Sequence, residues 1–163
     1  MLYDLVNHRI PLESNPDVLN KYLDKLGFPT SLYKMHDVLG LEDWAFDMLP
    51  KPVKGVVFLY PITEKQEAAR AEEAKKVAGD GQTVADSLWY TKQSVPNACG
   101  TVALTHIAAN LARENGGEIE LKDGSWFSKF LADTKTKSAD ERAELMDVGE
   151  TADVLEEAHQ TSA

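Results

Sequence analysis

This chain of 163 residues has one cysteine, Cys99. A single thiol excludes an internal disulfide and points to a reducing compartment, read here as the cytoplasm. No cluster of cysteines and histidines stands at metal-ligand spacing, so neither a metal nor another cofactor is expected. No run of about 18 apolar residues occurs, which excludes a membrane-spanning helix. Met1 to Arg9 lack the basic start and long apolar core of a signal peptide, and residues 1–9 read as a flexible extension. Basic residues are also scarce, 17 against 27 acidic ones, for a net charge of -10. That balance disfavours nucleic acid and anionic membrane and permits a basic partner, although acidity often serves solubility alone.

What the chain does have is enough apolar sequence, 43%, for the core of one domain. Asn15 caps a helix with Pro16 at its first position, Val18, Leu19, Tyr22, Leu23 and Leu26 form its buried stripe, and Gly27 ends it. Tyr33 to Val38 reads as a short strand and Gly40 to Leu49 as a turn and short helix. Val53-Lys54-Gly55-Val56-Val57-Phe58-Leu59-Tyr60 is the one strong strand, and its unbroken apolar run predicts burial on both faces. Thr63 and Gln66 have capping-box spacing and open a surface helix that Gly79-Asp80-Gly81 stops. After Asn115-Gly116-Gly117, Ser125 caps a helix, Ser138 and Glu141 form a second capping box, and a last helix covers about 151–158. A strand buried on both faces needs partners on both edges. The chain hardly supplies them, so the sheet is very small or more strands come from elsewhere.

The chemistry centres on Gln93-Ser94-Val95-Pro96-Asn97-Ala98-Cys99-Gly100-Thr101. Pro96 and Asn97 interrupt regular structure, Asn97 reads as an N-cap, and a helix apolar almost all round runs from Cys99 to about Glu114. The first turn of a helix is the positive end of its dipole, a setting that favours thiolate over thiol. Cys99 is therefore a candidate nucleophile; the other reading is a small, inert core residue. Gln93, on the loop leading to Cys99, could donate to an oxyanion beside the Cys99 N–H, or be a plain surface glutamine. Of the four histidines, His106 shares a face with Cys99 but stands about 10 Å further along the helix axis, beyond proton-transfer distance. It reads as a core histidine whose polar atoms are satisfied. His8, His36 and His159 carry no mark of a catalytic base.

The Gln93–Thr101 stretch resembles the active-site signature of the ubiquitin carboxy-terminal hydrolases, a family of cysteine deubiquitinases. Thr105-His106-Ile107-Ala108-Ala109-Asn110, Pro11-Leu12-Glu13-Ser14-Asn15-Pro16, Leu23-Asp24-Lys25-Leu26-Gly27, Leu49-Pro50-Lys51-Pro52-Val53 and Phe58-Leu59-Tyr60-Pro61-Ile62-Thr63-Glu64-Lys65 extend the resemblance across most of Ile10–Ala163. It is nearest to the short, single-domain type. The resemblance implies an α/β (α+β), papain-like fold: helices around a central antiparallel sheet, with a knotted backbone when complete. This chain, mostly helical with part of the sheet, would be the N-terminal portion of that domain over residues 10–163. The implied reaction is hydrolysis of amide or ester bonds after the last glycine of ubiquitin, with Nedd8 as a second candidate partner. By position Cys99 matches the nucleophile and Gln93 the oxyanion-hole glutamine. Glu13, Asp17 and Asp37 match acidic residues that contact the basic tail of ubiquitin; each could equally be a solvated acid. The family's catalytic His and Asp follow a crossover loop that begins where this sequence ends. The resemblance thus implies a C-terminal segment that supplies them, missing from this sequence or present as a separate chain. The alternatives are a ubiquitin-binding module without catalysis and a helical scaffold with an inert cysteine.

Overall fold

The computed structural model describes residues 11–113 and 116–162. The N-terminal extension expected over residues 1–9, His8, and the expected helix end at Glu114 and Asn115 lie outside the described residues. Among the described residues seven helices follow in order: α1 (Pro16–Lys25), α2 (Asp43–Asp47), α3 (Glu64–Asp80), α4 (Cys99–Leu111), α5 (Trp126–Thr134), α6 (Ala139–Met146) and α7 (Gly149–Gln160).

Local signals place most of these boundaries. The Asn15 side chain accepts the Asp17 N–H at 2.9 Å, and Pro16 occupies the first turn of α1. Gly27 ends the helix at φ 95, and a Cβ there would lie 2.2 Å from Ser125 Cβ. Left-handed backbone and close approach both require glycine at that corner. Thr63 with Gln66 and Ser138 with Glu141 form complete capping boxes on α3 and α6. Ser125 caps α5 by accepting the Ser128 N–H at 3.3 Å.

The core is helical. Tyr22, Leu23 and Leu26 from the α1 region pack with Leu104, Ala108 and Ala109 of α4, Phe127 and Phe130 of α5, Met146 of α6 and Leu155 of α7. Burying each of the larger side chains contributes roughly 1.5–3 kcal/mol. Trp126 stacks on Phe130 at 4.6 Å between ring centres. The Tyr22 hydroxyl and Thr101 Oγ1 share a buried hydrogen bond of 3.1 Å, which ties α1 to the second turn-forming residue after Cys99 and so fixes the start of α4.

The strands differ from expectation. Among the described residues no strand forms, and the β pairing is one isolated parallel bridge between Ala112 and Ile119. Among the described residues, 53–60 carry no regular secondary structure and pair with no strand, with Phe58 74% and Leu59 72% exposed. The predicted burial on both faces is not present. An apolar run records the surroundings a segment is suited to, whereas burial also needs neighbours on its edges and faces. Tyr33 to Val38 is likewise irregular, held where the Asn20 side chain bonds both the N–H (2.8 Å) and the carbonyl (3.1 Å) of Met35. No residue between Met35 and Trp89 joins the core cluster. That long excursion touches the helical body at Gly55, which packs against Ile107, and through the Lys54–Glu118 ion pair.

Candidate active site

The loop before α4 is held to that helix by two side chains one turn apart. Asn110 accepts the Trp89 N–H through Oδ1 at 2.9 Å and donates from Nδ2 to the Trp89 carbonyl at 2.8 Å. This doubled bond copies the pairing of two strands with a single amide. One turn earlier, His106 Nε2 lies 3.1 Å from the Thr91 nitrogen and 3.1 Å from its carbonyl oxygen. The ring stacks on Tyr90 at 5.0 Å. Burial pushes the His106 pKa down from its ordinary value, and the hydrogen bond to Thr91 opposes the shift in part. His106 therefore acts as a strut between α4 and the loop.

The other side of the loop rests on α6. Lys92 N–H donates to the Ala139 carbonyl at 3.2 Å, and Lys92 Nζ reaches both Asp140 oxygens at 2.7 and 2.8 Å. Arg142 donates from Nη1 to the Tyr90 carbonyl at 2.9 Å and from Nε to the Thr134 carbonyl at 3.2 Å. Its guanidinium carbon lies 4.9 Å from the centre of the Trp89 ring. The Ser94 hydroxyl donates to the Asp147 carboxylate.

Past Ser94 the chain turns sharply. Asn97 has φ 62, and Ala98, buried, is the N-cap residue of α4. Asn97 thus makes the turn and does not cap, contrary to expectation. Asparagine is one of the few residues other than glycine that tolerates the left-handed region, and its liking for caps and for such turns cannot be told apart by sequence. Ala98 offers no capping side chain. The first N–H groups of α4, that of Cys99 among them, are left without a side-chain acceptor. Cys99 is the first helical residue and is exposed. Gln93 is exposed too, and its Nε2 donates to the Val95 carbonyl at 3.0 Å. A primary amide has two N–H groups, so one remains for another acceptor.

The acidic candidates surround α1. Glu13 is exposed on the arm whose Leu12 packs against Gly100, where a Cβ would come within 3.1 Å of Leu12 Cβ. That contact brings the Glu13 arm alongside the start of α4. Asp17 is exposed in the first turn of α1, and Asp37 is exposed two residues after Met35. None of the three is in an ion pair among the described residues. His36 is exposed, and His159 stands edge-on to Tyr22 at 6.5 Å. Among the described residues no hydrogen bond joins Cys99 Sγ to a histidine. Cys99 and Gln93 are thus both exposed on the segment that opens α4, six residues apart, with no contact between them and no proton acceptor for the thiol among the contacts of the described residues.

Residues 10–163 match the family model described as ubiquitin carboxyl-terminal hydrolase, family 1. Ubiquitin carboxyl-terminal hydrolase 3 of Arabidopsis thaliana is 41% identical over 150 residues, covering 92% of this chain and 60% of that protein. Ubiquitin carboxyl-terminal hydrolase isozyme L1 of Rattus norvegicus is 34% identical over 153 residues, covering 94% of this chain and 64% of that protein. The Drosophila melanogaster ubiquitin carboxyl-terminal hydrolase is 40% identical over 157 residues, covering 94% and 66%. The chain thus spans about three fifths of the length of the curated relatives it matches.

Proposed function

The chain belongs to family 1 of the ubiquitin carboxyl-terminal hydrolases, and from that premise we propose that it is the nucleophile-bearing part of a deubiquitinating thiol hydrolase. Cys99 attacks the carbonyl carbon at the last glycine of ubiquitin. The tetrahedral oxyanion is held by the Cys99 N–H and the free N–H of Gln93 Nε2. Collapse breaks the bond to the leaving amine or alcohol, which takes a proton from an imidazolium, and leaves a thioester. Water then attacks the thioester and releases ubiquitin and the thiol. The exposed position of Cys99 at the uncapped start of α4 carries this reading.

A C-terminal segment, missing from this sequence or separate from it, supplies the catalytic His and Asp, and with them the strands that pair with residues 53–60. Two observations support the need for such a segment: the chain covers only 60% and 64% of two relatives, and the apolar run Val53–Tyr60 is irregular and largely exposed. With that segment in place the domain is papain-like, with a central antiparallel sheet and a knotted backbone. Glu13, Asp17 and Asp37 face the basic tail of ubiquitin, or of Nedd8, through charge-assisted pairs. No helix among the described residues is long and apolar enough to cross a membrane, and the cytoplasm is the proposed compartment.

The test uses ubiquitin ending in an electrophile. This chain is incubated with the probe alone and together with the C-terminal segment of a relative. Labelling of Cys99 only when the segment is present is the expected result. Ubiquitin binding without labelling in both mixtures would make the chain a binding module. No binding in either would leave a helical scaffold.

A further inference from the structure

The proposed oxyanion donor stands on a loop that its own side chain does little to hold. Gln93 is exposed, its amide holds only the Val95 carbonyl of its own loop, and Pro96 and Asn97 separate it from α4. A hydrogen-bond donor stabilises an oxyanion only if it is already where the charge develops. Displacement of a reacting group by about 1 Å can cost on the order of a hundredfold in rate. Something must therefore fix residues 90–94, and the α4 struts stop at Thr91.

The remaining holds all come from α6 and its flanks, and they bracket Gln93. Lys92 on one side meets the Ala139 carbonyl and Asp140. Ser94 on the other meets Asp147, with the Ala143 carbonyl at 3.4 Å. These contacts are not equal. The Lys92 and Asp140 side chains are 56% and 67% exposed, and exposed ion pairs contribute little. Arg142 is half-buried, and its planar fork donates to two backbone carbonyls on different segments while its face covers Trp89. Charge-assisted bonds in fixed geometry of that kind are the strong ones. Trp89 is 3% exposed, so the segment that Arg142 grips is itself anchored in the core.

We propose that Arg142 is a positioning residue for Gln93, acting through the Tyr90 carbonyl, with the Ser94–Asp147 bond as the second fastening of the same loop. The proposal rests on Gln93 being the oxyanion donor. In the complete hydrolase, Arg142→Met and Arg142→Lys are each made in the wild-type and in the Gln93→Ala background. Turnover of ubiquitin carrying a fluorogenic C-terminal amide is then followed. Arg142→Met should lower kcat roughly tenfold, with KM and ubiquitin affinity within about twofold, and Arg142→Lys should recover part of the loss. In the Gln93→Ala background the effect of Arg142→Met should shrink below about twofold, because the group it positions is gone. An equal loss in both backgrounds, or a loss carried by KM, overturns the proposal.

Should Arg142→Met fail to fold, Ser94→Ala replaces it in the same cycle, with a smaller kcat loss that again vanishes without Gln93; an additive loss overturns it. If the wild-type protein does not hydrolyse the substrate, the deubiquitinase reading fails, and amide hydrogen exchange tests the positioning by itself. Arg142→Met should then speed exchange at Thr91 and Lys92 about tenfold or more while the interior amides of α4 are unchanged. Unaltered exchange at Thr91 and Lys92 overturns it.

Discussion

His106 Nε2 sits 3.1 Å from both the nitrogen and the carbonyl oxygen of Thr91. Neutral imidazole with its proton on Nδ1 accepts the Thr91 N–H; with its proton on Nε2 it donates to the Thr91 carbonyl. Either way this nitrogen is engaged with the loop and is unavailable to Cys99.

That arrangement has a pH signature. Burial lowers the folded-state pKa of His106, while the unfolded chain keeps an ordinary value of about 6.5. Above that value both states are neutral and the strut contributes in full. As the pH falls through the ordinary value the unfolded chain binds the proton first. The contribution is then lost until the pH has passed the lower folded pKa. NMR titration of the His106 ring should give a midpoint below about 6.5. Thermal stability should fall from pH 7 to 5, and less so in His106→Gln, which cannot titrate. A His106 midpoint at or above the ordinary value would sink this account.

Gln93 is exposed and its carboxamide bonds nothing but its own loop, so truncating it removes no core packing. Gln93→Ala should lower kcat by about 10²–10³, the range for loss of one oxyanion donor, with little change in KM or thermal stability. Gln93→Glu should do no better, since an ionised carboxylate can only accept and repels the oxyanion. Kinetics on a fluorogenic ubiquitin substrate check this; a loss under about threefold would return Gln93 to an ordinary surface residue.

The helices were legible in the sequence because their signals are local. Asn15–Pro16, Thr63/Gln66, Ser125 and Ser138/Glu141 each act within one turn and are found where expected. Helical rise removed His106 from the thiol, but its bonds to Thr91, fifteen residues earlier, were not legible, because no spacing rule links the helix to that loop. The strand expected over Val53–Tyr60 does not form among the described residues, because an apolar run alone does not supply the partners that pairing needs. Asn97 was misassigned because one residue type serves both caps and left-handed turns. The contacts of Arg142 with Tyr90 and Thr134 span 52 and 8 residues. No spacing rule reaches that far, and the nearest signal, the capping box at Ser138, fixes only where its helix begins.

Glu13 and Asp37 are exposed and without an ion pair among the described residues, and the Leu12–Gly100 contact sets the Glu13 arm beside the thiol helix. If they meet arginines on ubiquitin, reversing one charge should act mainly on association and should fade with salt. Glu13→Lys and Asp37→Lys are each expected to weaken ubiquitin binding about tenfold at low ionic strength, and less at about 0.5 M salt, where the Debye length is only a few ångströms. Kcat for bound substrate should hold. Binding isotherms at both salt concentrations decide it, and an unchanged affinity would leave these residues as solvated acids. Asp17, in a helix turn with its N–H taken by Asn15, should show the same direction with a smaller effect.

Val53–Ile62 places an apolar run in solvent, with Val56 67%, Phe58 74%, Leu59 72% and Ile62 70% exposed. An exposed apolar segment of this kind associates with whatever chain is available. The chain alone is therefore expected to aggregate or to remain molten, binding hydrophobic dye and melting without a sharp transition. Adding the complementing C-terminal segment should suppress dye binding and restore cooperative unfolding. Phe58→Lys with Leu59→Thr should improve solubility of the chain alone, because charge blocks edge pairing. The same pair should weaken association with the segment, because the faces it would cover are no longer apolar. A chain that is monomeric, dye-free and sharply cooperative by itself would show that these residues need no partner, and the proposed sheet would lose its main support.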